Sequence, residues 1–161
     1  MLVLGGGRIR IVVRDEMMAI KLTAWKYIDR AGDAEEVEAL ACADGLKLSL
    51  DWCPAWAVLA TDCATLAALL QNQGVLRLRL KFTVDEVKLA GDGLPEWIVV
   101  HTKRETNRVA HELAQLAKRT RHSTVWRFAA PTCVDLFLLR IVKMFMSNKI
   151  SLFLAKKKVW T

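Results

Sequence analysis

The chain has 161 residues, 53% hydrophobic and 25% charged, an ordinary composition for one globular domain with a real core. No run reaches the ~18 uncharged residues of a membrane helix, because Arg140 and Lys143 interrupt the closest one, LFLLRIVKMFM (136–146). The net charge of +7 is uneven: residues 101–161 hold 13 Lys and Arg against 3 Asp and Glu, and residues 1–100 hold 11 against 14. A basic end on a near-neutral body suggests a polyanionic partner such as nucleic acid, the plain alternative being a solvated surface with a basic tail.

In chain order, RIRIVVR (8–14) alternates, with Ile9, Ile11 and Val13 on one face, and predicts a strand. Asp15-Glu16 makes a turn, and residues 17–27 return as a second strand. Asp33 and Glu36 form a capping box that starts a helix running to about Trp52, where Pro54 ends it. Its inner stripe is Val37, Ala41, Ala43 to Gly45 and Leu48. Residues 56–61 predict a short, buried, parallel strand. Leu66, Leu69 and Leu70 mark a helix over 62–71, with Asp62 as a candidate N-cap. Leu76, Leu80, Val84 and Val87 mark another, closed by Gly91 and Gly93. Trp97 to Val100 is the last predicted strand, and Val109, Leu113 and Leu116 place residues 105–119 on a helix.

Cys42, Cys53, Cys63 and Cys133 show no metal-ligand or redox spacing, so burial as small apolar groups in a reducing compartment is expected. The N-terminus lacks a basic region followed by an apolar stretch of signal length, which argues for an intracellular protein, nuclear or cytoplasmic.

Four segments, GGGRIRIVVRDE (5–16), AEEVEALACADGLKL (34–48), ATDCATLAALLQN (60–72) and HTKRETNRVAHELA (101–114), stand in an order and at intervals that resemble the plant ribonuclease H-like domains related to reverse-transcriptase ribonuclease H. The resemblance runs from about Gly5 to about Pro131. It implies an α/β fold, a ribonuclease H-like mixed sheet with flanking helices. It divides the chain into a domain over 1–130 and a divergent apolar and basic tail over 131–161. It also implies hydrolysis of the RNA strand of RNA–DNA hybrids by two divalent metals, Mg²⁺ or Mn²⁺, held by four acids, with no small-molecule cofactor.

By this resemblance Glu38 matches the family's helix glutamate, followed by Ala41, Gly45 and Leu46 at the family's spacing, and Asp62 matches the aspartate ending the fourth strand. These two are the expected catalytic and metal-binding residues. The last acid falls four residues after Asn107, at His111, whose imidazole suits Mn²⁺ or Zn²⁺ better than Mg²⁺. The first acid belongs to a strand ahead of Gly5, where only Met1 to Leu4 stand, and Asp15 and Asp29 do not fill its place. The family's first strand lies at the middle of the sheet, so its absence would open a row of backbone donors and acceptors there. The segment after Pro131 is the odd part of the chain, and its ISLFLA stretch (150–155) has the pattern of a strand.

Lys103, Arg104, Asn107 and Arg108 begin the last helical region, where cations and backbone donors together bind phosphate. Each candidate has a plainer reading: Glu38 as a solvated helix residue, Asp62 as a cap, His111 as a surface residue and His101 as a strand-end hydrogen-bonding group. Trp25, Trp52, Trp56 and Trp97 are more often packing residues than base-stacking platforms. The expected function is a nucleic-acid-binding ribonuclease H-like domain on hybrid or duplex, impaired in catalysis by the two missing acids. A non-catalytic nucleic-acid-binding module and a non-functional gene fragment are the alternatives.

Overall fold

The computed structural model describes residues 5–15, 19–73, 78–102, 123–127 and 150–154. Alternation in the first segment gives strand β1 (Gly5–Arg14), and the chain returns as β2 (Ile20–Ala31), antiparallel to it and starting later than the 17–27 expected. Asp15 closes the turn from both ends. Its backbone N–H donates to the Ala19 carbonyl at 3.0 Å and its carboxylate accepts the Ala19 N–H at 2.9 Å.

The predicted capping box forms with a one-residue offset. Asp33 accepts the Glu36 N–H at 2.9 Å, and Glu36 reaches back to the Gly32 N–H at 2.7 Å. Helix α1 (Ala34–Trp52) follows. The sheet covers one side of it and a later helix the other, so Val37, Ala39, Ala41, Cys42, Ala43, Gly45, Leu46 and Ser49 are all buried. That is wider than the predicted stripe, in which Leu48 is only half-buried. Small side chains allow the close approach, and a helix enclosed on two sides loses the clean polar face of a surface helix.

Strand β3 (Ala57–Thr61) is buried throughout and parallel to its neighbours, as expected of an apolar run in an α/β sheet. Helix α2 (Ala64–Leu70) comes next, then α3 (Leu78–Asp92) and β4 (Trp97–His101). Gly91 does not close α3. It lies inside the helix, where an added Cβ would overlap the Trp97 indole. The ring lies against the bare backbone and donates Nε1–H to Asp92 at 3.1 Å. Gly91→Ala is therefore expected to lower stability by about 1 kcal/mol. Overpacking against a rigid indole costs about 1–3 kcal/mol and outweighs the roughly 1 kcal/mol of helix propensity gained. Urea denaturation would check this, and an unchanged or raised midpoint would show the contact to be unimportant.

Beyond β4 the structure describes β5 (Thr124–Arg127), antiparallel to β2 and not anticipated, and β6 (Ile150–Leu154), where the ISLFLA pattern suggested a strand. The sheet order is β4-β3-β6-β1-β2-β5. Strand β6, from the segment expected to be a tail, fills the middle. It runs antiparallel to β1 over Ile11–Arg14 and parallel to β3 over Ala57–Ala60. The sheet thus has no gap between β1 and β3. Predicted helix 105–119 lies outside the described residues.

The core lies between the sheet and the helices. Ile9, Ile11, Val13, Leu22 and Leu59 face α1, and Leu80, Val84 and Val87 of α3 close its other side. Ion pairs brace the rim: Lys26 with Asp44 at 2.9 Å, Arg79 with Asp33 at 2.5 Å, and Lys47 with Glu86. Exposed pairs of this kind each contribute roughly 0–1 kcal/mol.

Candidate nucleic-acid-processing site

The fifth residue of α1 is Glu38, and its side chain is 1% exposed. A buried carboxylate needs a donor. Thr61, the last residue of β3 and itself fully buried, donates its hydroxyl to Glu38 Oε1 at 3.0 Å. The same hydroxyl oxygen accepts the Cys63 N–H at 3.1 Å. With the acceptor side so occupied, the hydroxyl's single proton is directed to the carboxylate. Strand β4 holds the strand end from the other side, since the Thr102 N–H donates to the Thr61 carbonyl at 2.9 Å. A single buried hydroxyl therefore ties the helix carboxylate to the strand end that carries Asp62.

Asp62 follows Thr61 at the carboxyl end of β3, the end where open α/β sheets place ligands. The structure corrects the capping alternative. The N-cap of α2 is Cys63, whose side chain makes no cap hydrogen bond, and Asp62 stands one residue before it. The physical reason is the Thr61 hydroxyl, which takes the Cys63 N–H and turns the chain a residue later.

Glu38 is thus no solvated helix residue. His101 ends β4 and is exposed. Lys103, Arg104, Asn107, Arg108, His111, Lys118, Arg119 and the Lys156–Lys158 run lie outside the described residues. Trp25 is buried, Trp97 packs on Gly91, and Trp52 is 51% exposed with the Arg127 guanidinium 4.4 Å from its ring centre. The Trp52–Arg127 contact sits at the carboxyl end of α1, about 20 Å along the helix from Glu38.

Thr61 was missed from sequence, whereas the burial of Cys42 was expected. The signal for Thr61 was a hydroxyl residue closing an apolar run directly before an acid. Cys42, one helical turn after Glu38, is fully buried, and its thiol is pushed well above 9.0 by burial first, then by the charges of Glu38 and Cys63. Below pH 9 both folded and unfolded chains keep this proton. As pH rises above 9 the unfolded thiol ionises and the folded one does not, so stability falls. In Cys42→Ala the alkaline loss of stability is expected to be shallower, by up to about 1.4 kcal/mol per pH unit. Denaturation curves from pH 8 to 11 would check this, and parallel slopes would remove Cys42 from the account.

A divalent-metal centre can be tested against the donor set. Glu38 and Asp62 are two carboxylates of the right kind. The strand beside β3, ISLFL, carries no acid, and no group of three His, Cys, Asp or Glu among the described residues could hold a metal ion. These residues do not complete a two-metal centre.

A family model described as reverse transcriptase-like matches residues 4–117. Among solved structures, the crystal structure of RNase H1 from the halophilic archaeon Halobacterium salinarum NRC-1 matches with 18% identity and a TM-score of 0.49, over 54% of this chain and 76% of that one. No curated protein matches the chain. No helix among the described residues is long and apolar enough to cross a membrane.

Proposed function

Since the chain belongs to the reverse transcriptase-like family, a ribonuclease H-like family of nucleic-acid-binding proteins that generally use divalent metal, we propose that it binds RNA–DNA hybrid or duplex nucleic acid and hydrolyses it poorly or not at all. The observation that carries this reading is the buried Glu38–Thr61 pair beside Asp62. It keeps half of a carboxylate site, while the neighbouring strand brings no acid to finish it. Two carboxylates leave Mg²⁺ or Mn²⁺ with too many waters to be fixed in place. Glu38 and Asp62 are the residues that would approach the scissile phosphate. Lys103, Arg104, Asn107 and Arg108 would supply the phosphate contacts, and His111 would stand where the family's last acid does. The +10 balance of residues 101–161 supports a polyanionic ligand.

The test measures binding and cleavage on the same hybrid. Affinity is expected to fall steeply with salt and to depend little on sequence. In the Arg104→Ala, Arg108→Ala double variant the slope of log affinity against log salt should flatten by up to about two units. Hybrid cleavage should be absent or far below that of an intact ribonuclease H. Turnover at an ordinary rate, abolished by Glu38→Gln, would show that the chain is a working nuclease, and no binding at low salt would end the nucleic-acid reading.

A further inference from the structure

The carboxyl end of α1 carries a second group of side chains that the candidate site does not use. Lys21, Trp52, Cys53 and Arg127 line a cleft of about 60 Å³ there. It lies at the other end of the sheet from Thr61. Strand β1 runs toward the turn that precedes Lys21, β6 runs back from it, and β3 is parallel to β6, so β3 ends far from that turn. The cleft is therefore separate from the Glu38–Asp62 end.

Two cations and an indole meet in it, and the two cations differ. Lys21 is held by Asp15 at 2.9 Å. Arg127 ends β5, at the edge of the described sheet. Its guanidinium lies 4.4 Å from the Trp52 ring centre, and among the described residues it has no ion pair and no hydrogen-bond acceptor. A guanidinium has five N–H donors in a fixed fork. Stacking on Trp52 fixes the plane of that fork without using the donors, and the partial negative charge at the end of α1 helps to hold it. The indole itself is 51% exposed, whereas Trp25 is buried and Trp56 and Trp97 are half-buried. A pair that served only to close the helix end would cover the ring. Here half of it stays open beside an unspent set of donors.

A cleft of this volume holds several water-sized atoms, room for one anionic group and not for a whole base. A planar fork of donors matches the oxygens of a phosphate. The exposed indole beside it offers a flat apolar surface on which a base can stack. We propose that the cleft is a second binding site, for a phosphate ester that carries a nucleobase. Arg127 donates to the phosphate oxygens, Lys21 adds positive charge, and the base lies against Trp52. The ester comes from a single-stranded stretch of nucleic acid or from a free mononucleotide. This site goes beyond the Glu38–Asp62 reading and stands without it; that reading supplies only the first source. Asp15 and the end of α1 weaken the positive potential, so a mononucleotide should bind with a Kd on the order of 1 mM.

The full chain would be titrated with thymidine monophosphate and with an oligothymidylate of about eight nucleotides, following the Trp52 indole N–H and the Arg127 Nε–H by NMR. Both resonances should move with each probe if free nucleotide is a ligand, and with the oligonucleotide alone if the ligand is a strand. Trp52→Leu should weaken oligonucleotide binding about tenfold. Arg127→Gln should flatten the slope of log affinity against log salt by about 0.7, one phosphate contact on a single strand, and Arg127→Lys should keep the slope. Both side chains are exposed, so urea midpoints close to the native one are expected of all three variants. Resonances that stay still with both probes would overturn the site, as would variants that bind like the native chain. Hybrid binding that survives all three substitutions unchanged would leave the nucleic-acid reading in place and remove this cleft from it.

Discussion

Leu152→Pro is expected to remove the cooperative fold or lower its stability by about 3 kcal/mol or more, a large part of the roughly 5–15 kcal/mol available to a domain. Leu152 pairs with Val13 on one side and Leu59 on the other. Proline has no N–H to give to the ladder and is tolerated in sheets at edges and bulges, and β6 is neither. Each buried backbone group left unpaired costs about 1–3 kcal/mol. If β6 withdraws altogether, β4-β3 and β1-β2-β5 share no strand pairing, and both inner edges open at once. Amide hydrogen exchange gives the specific readout. Protection should fall at Val12, Val13, Leu59 and Ala60, the neighbours of β6. Native protection at those four amides in the variant would mean that the sheet closes without this strand.

Thr61→Val should cost about 3 kcal/mol, while Thr61→Ser should stay within about 1 kcal/mol of the native chain. Valine matches the shape of threonine but lacks the hydroxyl. The substitution leaves the Glu38 carboxylate without its Thr61 donor and removes the acceptor of the Cys63 N–H, both in buried surroundings. Serine keeps the hydroxyl and loses one methyl. The double variant Thr61→Val, Glu38→Leu should recover part of the loss, because removing both partners leaves no buried charge without its donor. Urea denaturation of the native chain, Thr61→Val, Glu38→Leu and the double variant forms a double-mutant cycle, and additive effects would show that Thr61 and Glu38 act independently. If nucleic-acid binding depends on the geometry of this strand end, Thr61→Val should also weaken it, with Thr61→Ser restoring it.

What could be read in advance follows the range of the interactions involved. The alternation of Ile9, Ile11 and Val13, the Asp33–Glu36 cap, the apolar run of β3 and the start of β4 at Trp97 are local signals. Each rests on backbone period or on hydrogen bonds spanning four residues or fewer, so sequence spacing suffices. Gly91 was misread because a helical glycine looks the same whether it ends a helix or admits an indole, and Trp97 decides between these from outside the helix. Asp62 lost its capping role for a comparable reason. The Thr61 hydroxyl was already committed to Cys63 and to Glu38, 23 residues away.

By itself, then, the sequence determined the elements up to β4, a strand pattern at 150–155, the two carboxylates worth attention, the family resemblance and the excess of positive charge toward the C-terminus. The tertiary structure decided which strand stands at the centre of the sheet. A five-residue uncharged strand such as ISLFL satisfies the period of many slots, and nothing local says which one it will enter. Only the opposite directional demands of β1 and β3, separated by more than 40 residues of chain and brought to either side of one gap, select it. The tertiary structure likewise decided that Glu38 is buried and held by Thr61, because burial depends on α3 and the sheet closing on both sides of α1.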